Sequence, residues 1–402
     1  MIGLLLMQTI AITGATVYPV SGPRIEHATV LMRDGMITAI GTNVAIPARA
    51  LRIDATDRWV TPGLLDGAGQ MGLVEIDAVA GTRDADVHND TVAAAFNVAE
   101  GINPASTLIA ITRIEGVTTT LAMPQTGLIR GQAVLIDLDG ATLEAMLVKS
   151  PVAVVAELSE ATKAAGGGSR AGAAARLRRV LDDAREYGIR KAEWARAQMH
   201  PLAASAADLA ALAPVLRGEV PLIVIANRRS DIATALRIGR EYRLKLILAG
   251  AAEGWQMAAE IAKAHVPVLV QPLSNLPSYD ALGTRYANAA LLAAAGVKVA
   301  LLEPSTHNAR NLRQQAGNAV SYGMRWDDAL RAVTLSPAEI FGVAARYGSL
   351  DSGKVANVVV WSGDPFEFGT RVEHVFIRGK EIPLRSRQTE LLERYRTLPP
   401  KY

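Results

Sequence analysis

The sequence contains no cysteine, which excludes disulfide bonds, thiolate nucleophiles and cysteine-ligated zinc. Histidine is scarce as well, with six among 402 residues, so few imidazoles are available for a metal centre. Neither sign of charge dominates, because 42 Lys and Arg residues are balanced by 39 Asp and Glu residues. We therefore expect no nucleic-acid partner, since such binding has no electrostatic basis here.

Long hydrophobic runs are also missing. No apolar run approaches the ~18 residues that a membrane-spanning helix needs, so no membrane span is predicted. The first residues, Met1–Met7, are apolar but lack the basic segment and the cleavage site of a complete signal peptide. This run is either the end of a truncated leader or the approach to the first strand.

What is present is a globular composition, with 50% hydrophobic and 20% charged residues. The two ends of the chain share one pattern of short strands and tight turns. Residues 30–41 form a hairpin pattern around Asp34-Gly35, and residues 355–377 repeat this style around a Gly-Asp-Pro turn. We predict that residues 1–60 and 345–402 form one composite β-sandwich domain.

The middle of the chain has a different pattern. From residue 220 onward, four continuous apolar strands alternate with helices, which indicates a parallel sheet. Earlier apolar runs at 118–122, 133–137 and 152–156 complete an α/β fold, a (β/α)8 TIM-like barrel over residues 61–344. A glycine-rich link and a charged helical segment predict a long helical insertion at about 164–200, outside the barrel.

Three motifs, in a fixed order, carry a resemblance to a known family. They are Gly35–Gly41 with Ile53–Ala55 and Val60–Asp66, then Gly116–Thr119, and finally Thr334–Gly342 with Gly348–Asn357. Over nearly the whole chain this pattern resembles the amidohydrolase superfamily, specifically its imidazolonepropionase-like periplasmic members. The resemblance implies the predicted barrel, and hydrolysis of carbon–nitrogen bonds by a metal held at the carboxyl ends of the barrel strands.

The resemblance also implies where the metal ligands should be. The family positions fall on Ala68, Gln70, Ile225, Ala249 (or its vicinity) and Glu303. Only Glu303 keeps a side chain that binds metals well, whereas a catalytic zinc needs about three protein ligands. We therefore predict no cofactor, with zinc at these positions as the alternative.

Other side chains could act at the barrel mouth. His307 lies four residues after Glu303, and these two with Gln70 form a tentative catalytic set around a bound water. The predicted ligand pocket is lined by polar residues that suit a carboxylate or an amide, namely Arg113, Arg130, Asn227 and Arg228. The alternative is that these charges pair with one another and bind no ligand.

Two functions remain open from the sequence. The first is a non-catalytic or ligand-binding subunit that accompanies an active paralogous amidohydrolase or forms a homo-oligomer, with a small-molecule or peptide-like ligand. The second is an active hydrolase of non-peptide or peptide-like C–N bonds with a relocated or mononuclear site. The resemblance implies a periplasmic location, and the incomplete leader leaves a cytoplasmic location as the alternative.

Overall fold

The computed structural model describes residues 9–88, 90–196, 200–273 and 278–397. The apolar run Met1–Met7 lies outside the described residues, so the alternatives for it stay predictions. Within the described ranges, no helix is long and apolar enough to cross a membrane.

Two sheets contain the strands of these ranges. The strands are β1 (Ile10–Val17), β2 (Ile25–Arg33), β3 (Met36–Gly41), β4 (Leu51–Asp54), β5 (Trp59–Pro62), β6 (Leu64–Gly69), β7 (Val117–Ala122), β8 (Ile129–Asp137), β9 (Leu147–Glu157), β10 (Leu222–Ala226), β11 (Leu246–Gly250), β12 (Val268–Val270), β13 (Val299–Leu301), β14 (Val358–Trp361), β15 (Val372–Ile377) and β16 (Lys380–Ile382).

Most helices lie between the barrel strands or after the last of them. The α-helices are α1 (Thr107–Arg113), α2 (Leu143–Met146), α3 (Arg170–Ile189), α4 (Lys191–Ala195), α5 (Ala206–Leu216), α6 (Arg229–Tyr242), α7 (Ala258–Lys263), α8 (Asn288–Ala294), α9 (Leu312–Ser321), α10 (Trp326–Ala332), α11 (Leu335–Ile340) and α12 (Arg387–Tyr395). Short 3-10 turns occur at Ala80–Thr82, Val98–Gly101, Ala164–Gly166, Gly254–Met257 and Thr306–Asn311.

The barrel sheet contains β6 to β13 in chain order. β13 lies beside β6, so the sheet is nearly closed into a barrel and confirms the predicted fold class. Alternate residues point inward, as Leu65, Ile223 and Ile247 do in the barrel interior. Their neighbours, such as Leu222 and Leu248, pack outward against the surrounding helices.

One strand departs from a strictly parallel barrel. β8 runs antiparallel to both β7 and β9. The physical reason is the short link at residues 123–128, because a parallel connection needs a crossover of about a dozen residues or more. As a result Arg130, near the start of β8, lies at the same end of the barrel as the carboxyl ends of β7 and β9.

The glycine-rich segment leads into a helical insertion that contains the helices α3 and α4. The Ser169 side chain accepts the Gly172 N–H and caps α3, which ends at Ile189. α4 follows, and residues 197–199 lie outside the described ranges. α3 packs against α5, which buries Leu177, Leu181 and other apolar residues.

The terminal sheet combines the two ends of the chain, as the strand patterns predicted. Its strand order is β16-β15-β14-β5-β1-β2-β3, with β4 paired to β1. Ile12, Val30, Val358 and Phe376 from both ends form one buried cluster. The domain boundaries at 60 and 345 stay predictions, although β5 extends the terminal sheet to Pro62.

Asp137, at the end of β8, joins the barrel to the terminal sheet and its preceding loop. The fully buried carboxylate accepts hydrogen bonds from Thr119 (2.8 Å) and Asn357 (2.9 Å) at Oδ1. Its Oδ2 accepts from Tyr347 (3.0 Å) and Arg378 (2.7 Å). Burial, together with the Asp137 charge, raises the pKa of Tyr347, so the phenol stays protonated and donates to Asp137.

Candidate functional site

A cavity of about 260 Å³ opens at the carboxyl ends of the barrel strands. We call it the mouth cavity. Its lining is apolar at Ala68, Met123, Ile225, Ala249, Gly250, Ala252, Leu302 and Pro304 and polar at Gln70, Arg130, Asn227, Gln271, Thr284, Arg285 and Asn288. Among the described residues, this lining includes two arginines and no carboxylate. The cavity therefore suits a ligand that is neutral or anionic.

Two other clefts lie outside the barrel. One, of about 330 Å³, lies between α3 and α6, and its arginines Arg170 and Arg178 already pair with acidic residues. The other, of about 730 Å³, lies where the terminal sheet meets α10, with Tyr18 and Trp326 in mutual contact. The first cleft opens beside the mouth, after the carboxyl ends of β9 and β10, but its arginines are already paired. The second lies at the terminal sheet, away from the carboxyl ends of the strands, where active sites occur in barrels of this kind.

The family ligand positions that the sequence identified converge in space. Ala68, Gln70, Ile225 and Ala249 come from three different strands and all line the mouth cavity. Glu303 differs from them, because it is 5% exposed and lies behind the cavity wall. Its carboxylate accepts hydrogen bonds from the side-chain amides of Gln271 and Gln315.

The side chains at these positions do not fit a hydrolytic metal. Ala68, Ile225 and Ala249 carry no atom with a lone pair that could bind an ion, and Gln70 offers only an amide. The Glu303 carboxylate is already bonded to two amide groups and to the Ser305 N–H at 3.2 Å. A catalytic zinc needs about three protein ligands, so no chemical step can be assigned to a metal at this position.

One group of potential metal ligands exists elsewhere in the described ranges. On the helical insertion, Asp183 and Glu186 face His200, whose Nε2 lies 3.9 Å from an oxygen of each. Asp183 also accepts the Ala203 N–H at 2.6 Å, and Glu186 pairs with Arg190 at 2.7 Å. These groups are absent from the lining of the mouth cavity, so a metal bound there would not act on a ligand in the barrel.

His307, a member of the tentative catalytic set, is exposed and absent from the mouth lining. Its nearest electrostatic effect is on Glu75, whose pKa it lowers. Burial raises the pKa of Glu75, but hydrogen bonds from Ser106 and Thr107 at the start of α1 and the nearby His307 lower it overall. No direct hydrogen bond within the described ranges joins His307 to Glu303 or Gln70, and the tentative set of these three residues stays a prediction.

Two of the four predicted pocket residues lie elsewhere, which corrects the predicted set. Arg113 precedes β7 and so lies at the opposite end of the barrel, where it pairs with Asp139 at 2.9 Å. Arg228 follows β10, but it lines the cleft between α3 and α6, where Asp231 lies 3.3 Å from its guanidinium. Arg113 is excluded from the cavity because it precedes its strand. Arg228 is held away from the cavity by its ion pair with Asp231.

The other two predicted pocket residues do line the cavity. Arg130 forms a short ion pair with Glu157, at the end of β9, and the Ser159 hydroxyl also donates to that carboxylate at 2.6 Å. Arg130 therefore follows the alternative prediction, in which these charged residues pair with one another. Asn227 accepts the Ala252 N–H at 3.4 Å through its side-chain oxygen, which keeps the amide at the cavity edge.

Arg285 and Gln271 are cavity residues that the sequence did not reveal. Gln271 directly follows β12, so a polar residue at a strand end was the signal for it. Arg285 belongs to the loop before α8, and its guanidinium lies 4.7 Å from the ring centre of Trp255. No spacing or motif in the sequence relates Arg285 to Trp255.

A second buried carboxylate, Asp66, lies within β6, next to the backbone of Glu303 and Ala68. Its Oδ1 accepts the backbone N–H groups of Glu303 (3.0 Å) and Ala68 (3.3 Å). Its Oδ2 is buried without a hydrogen-bond partner among the described residues. Burial raises the pKa of Asp66 well above its ordinary value, and the nearby Glu303 charge acts in the same direction.

The variant Asp66→Asn is expected to raise the free energy of unfolding at pH 7 by about 1 kcal/mol, because the neutral amide removes a buried charge that has no compensating cation. The native state binds the Asp66 proton more tightly than the unfolded chain, whose carboxyl has a pKa of about 3.9. The stability of the natural chain therefore falls as pH rises from about 4 through the raised pKa. Urea unfolding between pH 4 and 8 measures this, and the variant should give a flatter profile.

The exposed Asp77 provides the control for this prediction. Asp77→Asn should leave the free energy of unfolding within about 0.5 kcal/mol of the natural value across the same range. A steep loss of stability at pH 7 in Asp66→Asn would contradict the prediction, because it would mean that the charged carboxylate is stabilised by a partner.

Comparison with known proteins agrees with this architecture. Residues 245–382 match the model of the amidohydrolase family. The chain is 23% identical to the amidohydrolase tasK of Hapsidospora irregularis over 385 residues, which is 87% of this chain. The match spans about two fifths of that relative's length, since it covers 39% of it.

The solved structures give the same answer. An amidohydrolase from Thermotoga maritima MSB8 superposes with a TM-score of 0.85 and 28% identity, over 94% of this chain and all of that one. Molinate hydrolase has a TM-score of 0.60 and 19% identity, over 94% of this chain and 95% of its own, and shows the fold alone. Taken with the family motifs and the barrel, these matches show an amidohydrolase-family domain in residues 245–382 and an amidohydrolase-like fold over nearly the whole chain.

Proposed function

We propose that this chain binds a small molecule in the mouth cavity without a resident metal and does not hydrolyse it. The observation that carries the proposal is that the four family ligand positions Ala68, Gln70, Ile225 and Ala249 converge on one cavity. Of these four side chains, only that of Gln70 is polar. A metal-bound water has a pKa of about 7 instead of about 15.7, an activation that these side chains cannot provide through a metal.

The cavity itself supports binding. Its floor is apolar at Ala249 and Leu302, and amide and guanidinium groups surround it, as in sites that orient a ligand by a few polar contacts. Without an activated water, a bound amide would remain intact, because the bound state offers no nucleophile. We propose that the chain acts as a binding module or as the non-catalytic subunit of an active amidohydrolase.

The alternative function is hydrolysis of a C–N bond at a relocated site. It is supported by hydrolases among the structural neighbours, such as molinate hydrolase and phenylurea hydrolase B, and by the buried Glu303 next to the cavity. In this alternative Glu303 would accept the proton of a water that reaches its carboxylate, or would hold one metal ion as its only acidic ligand.

Elemental analysis separates the two functions. After expression in medium with zinc, manganese and iron, we expect less than about 0.1 metal ion per chain in a variant, His200→Ala, that removes the surface ligand group. The natural chain and His200→Ala should melt at the same temperature before and after dialysis against a chelator. A stoichiometric metal in His200→Ala that is lost in His200→Ala/Glu303→Ala would overturn the proposal in favour of hydrolysis.

Location and partner are proposals that rest on the sequence resemblance. We propose a periplasmic location, which fractionation of the native organism's cells measures. A paralogous amidohydrolase that co-purifies with the tagged chain from those cells supports the subunit role, whereas a homo-oligomer alone supports the binding module.

A further inference from the structure

The two arginines of the mouth cavity differ in how their charges are compensated. Arg130 pairs with Glu157, so its charge is largely neutralised. Arg285 has no carboxylate within 4 Å among the described residues, and its guanidinium lies over the Trp255 ring. A cation on an indole face keeps its N–H groups free at the edges, so Arg285 can still bind an anion in two-point fashion.

The loop that carries Arg285 is held in place from several sides. Trp255 Nε1 donates to the Gly283 carbonyl at 2.8 Å, and the Gly283 N–H donates to Glu253 at 2.8 Å. Asp280, five residues before Arg285 in this loop, pairs with Arg170 at 2.5 Å and accepts the Glu160 N–H at 2.8 Å. The backbone that carries Arg285 is therefore held in place before any ligand binds, and the exposed side chain rests on the Trp255 ring, which lowers the entropy cost of binding.

The opposite wall offers a donor and an acceptor. Gln70 uses its side-chain oxygen towards the Thr306 hydroxyl at 3.5 Å, which leaves its NH2 group for a ligand. Gln271 uses its NH2 group towards Glu303 at 3.3 Å, which leaves its carbonyl oxygen. An uncharged amide, with one C=O and one N–H, complements this pair of side chains.

The cavity also limits the size of its ligand. Its volume of about 260 Å³ is below the ~300–1,000 Å³ of pockets for drug-sized ligands. The absence of any carboxylate from the described lining disfavours an amine, whose charge would face Arg285 unpaired.

We propose that the mouth cavity binds a small monocarboxylate that also carries an uncharged amide, with Arg285 on its Trp255 platform holding the carboxylate. Gln70 and Gln271 hydrogen-bond the amide, and Ala249 and Leu302 contact its carbon skeleton. This inference rests on the proposed function, because it assumes a ligand that is bound and not cleaved. Arg285 and Trp255 thereby become the residues that select the ligand class.

Matched probes test the proposal by isothermal titration calorimetry. N-acetylalanine carries both groups, whereas N-acetylalaninamide has the same skeleton without the carboxylate. We expect the natural chain to bind the acid at least 10-fold more tightly than the amide, since a charge-assisted contact is worth about 1.5–3 kcal/mol. Inorganic phosphate, which lacks the amide, should bind more weakly than the acid.

Variants then assign the preference to residues. Arg285→Gln should weaken binding of the acid at least 10-fold and leave the amide's affinity unchanged, so that the preference disappears. Trp255→Leu should weaken the binding of N-acetylalanine several-fold, because the Arg285 guanidinium loses the ring on which it rests. Arg325→Gln is the matched control, since Arg325 has an 80% exposed side chain outside the cavity. Circular dichroism and the melting temperature confirm that each variant is folded.

The outcomes distinguish this inference from the proposed function. Equal affinity for acid and amide, or unchanged acid binding in Arg285→Gln, would overturn the proposed ligand class. The proposed function, binding without a metal, would not be affected by this result. Failure of N-acetylalanine to bind at up to 10 mM would also overturn the ligand class, whereas undetectable binding of N-acetylalaninamide agrees with the proposal. Stoichiometric metal in His200→Ala, with hydrolysis of N-acetylalanine to acetate and alanine, would instead overturn the proposed function itself.

Discussion

Replacing Asp137 with alanine is expected to lower the free energy of unfolding by about 3–5 kcal/mol, the cost of breaking a buried ion pair from one side. Asp137 is fully buried and accepts four side-chain hydrogen bonds. Its removal leaves the Arg378 guanidinium without its carboxylate and the Tyr347 hydroxyl without its acceptor. Equilibrium unfolding in urea, followed by tryptophan fluorescence, measures the loss.

Asp139 provides a matched control two residues along the chain. It also forms ion pairs, with Arg113 at 2.9 Å and Lys380 at 2.9 Å, but its side chain is 18% exposed. Because such pairs near the surface contribute little, Asp139→Ala should cost at most about 1 kcal/mol. Equal losses in the two variants would show that Asp137 does not stabilise the contact between barrel and terminal sheet more than a surface pair does.

Gly116→Ala is expected to cost about 2–5 kcal/mol, the second large effect. Gly116 has a φ of +88°, a left-handed conformation that costs roughly 1–2 kcal/mol for any other residue. A Cβ at this position would also lie 2.3 Å from the ring of Trp361, which is fully buried and bonded to Thr61. Overpacking of this kind adds about 1–3 kcal/mol.

Gly296→Ala separates the two contributions. Gly296 has nearly the same φ, +86°, but a Cβ there would meet no atom within 4 Å. The free energy of unfolding of this variant should fall only by the cost of the left-handed backbone conformation, about 1–2 kcal/mol. The difference between the two midpoints of urea unfolding, multiplied by the common m-value, measures the clash with Trp361. If Gly116→Ala lost no more than Gly296→Ala, the tight contact between Gly116 and Trp361 would be refuted.

Much of the fold could be predicted because its signals are local. Apolar runs and turn residues indicated the strands, and the ordered motifs indicated how both chain ends join. The antiparallel β8 was missed, although the short link at residues 123–128 carried the information. The helical insertion at about 164–200 contains two helices, α3 and α4, and the sequence pattern did not reveal the break after Ile189.

The candidate site was predictable in one respect. Residues at the carboxyl ends of parallel strands meet at one edge of a sheet, so Ala68, Ile225 and Ala249 were expected together and do line one cavity. Arg113 and Arg228 were misplaced because the direction of a long side chain depends on its ion-pair partner. Asp139 and Asp231, which hold them, belong to other elements of the fold.

The sequence by itself determined the barrel, the joined termini and the loss of donor atoms at the family ligand positions, because residue type and strand order are sufficient for these. The tertiary structure alone decided which charges face the cavity. It pairs Arg130 with Glu157, places Glu303 behind the wall and stacks Arg285 on Trp255. These contacts join distant segments through side-chain geometry, which no local pattern encodes.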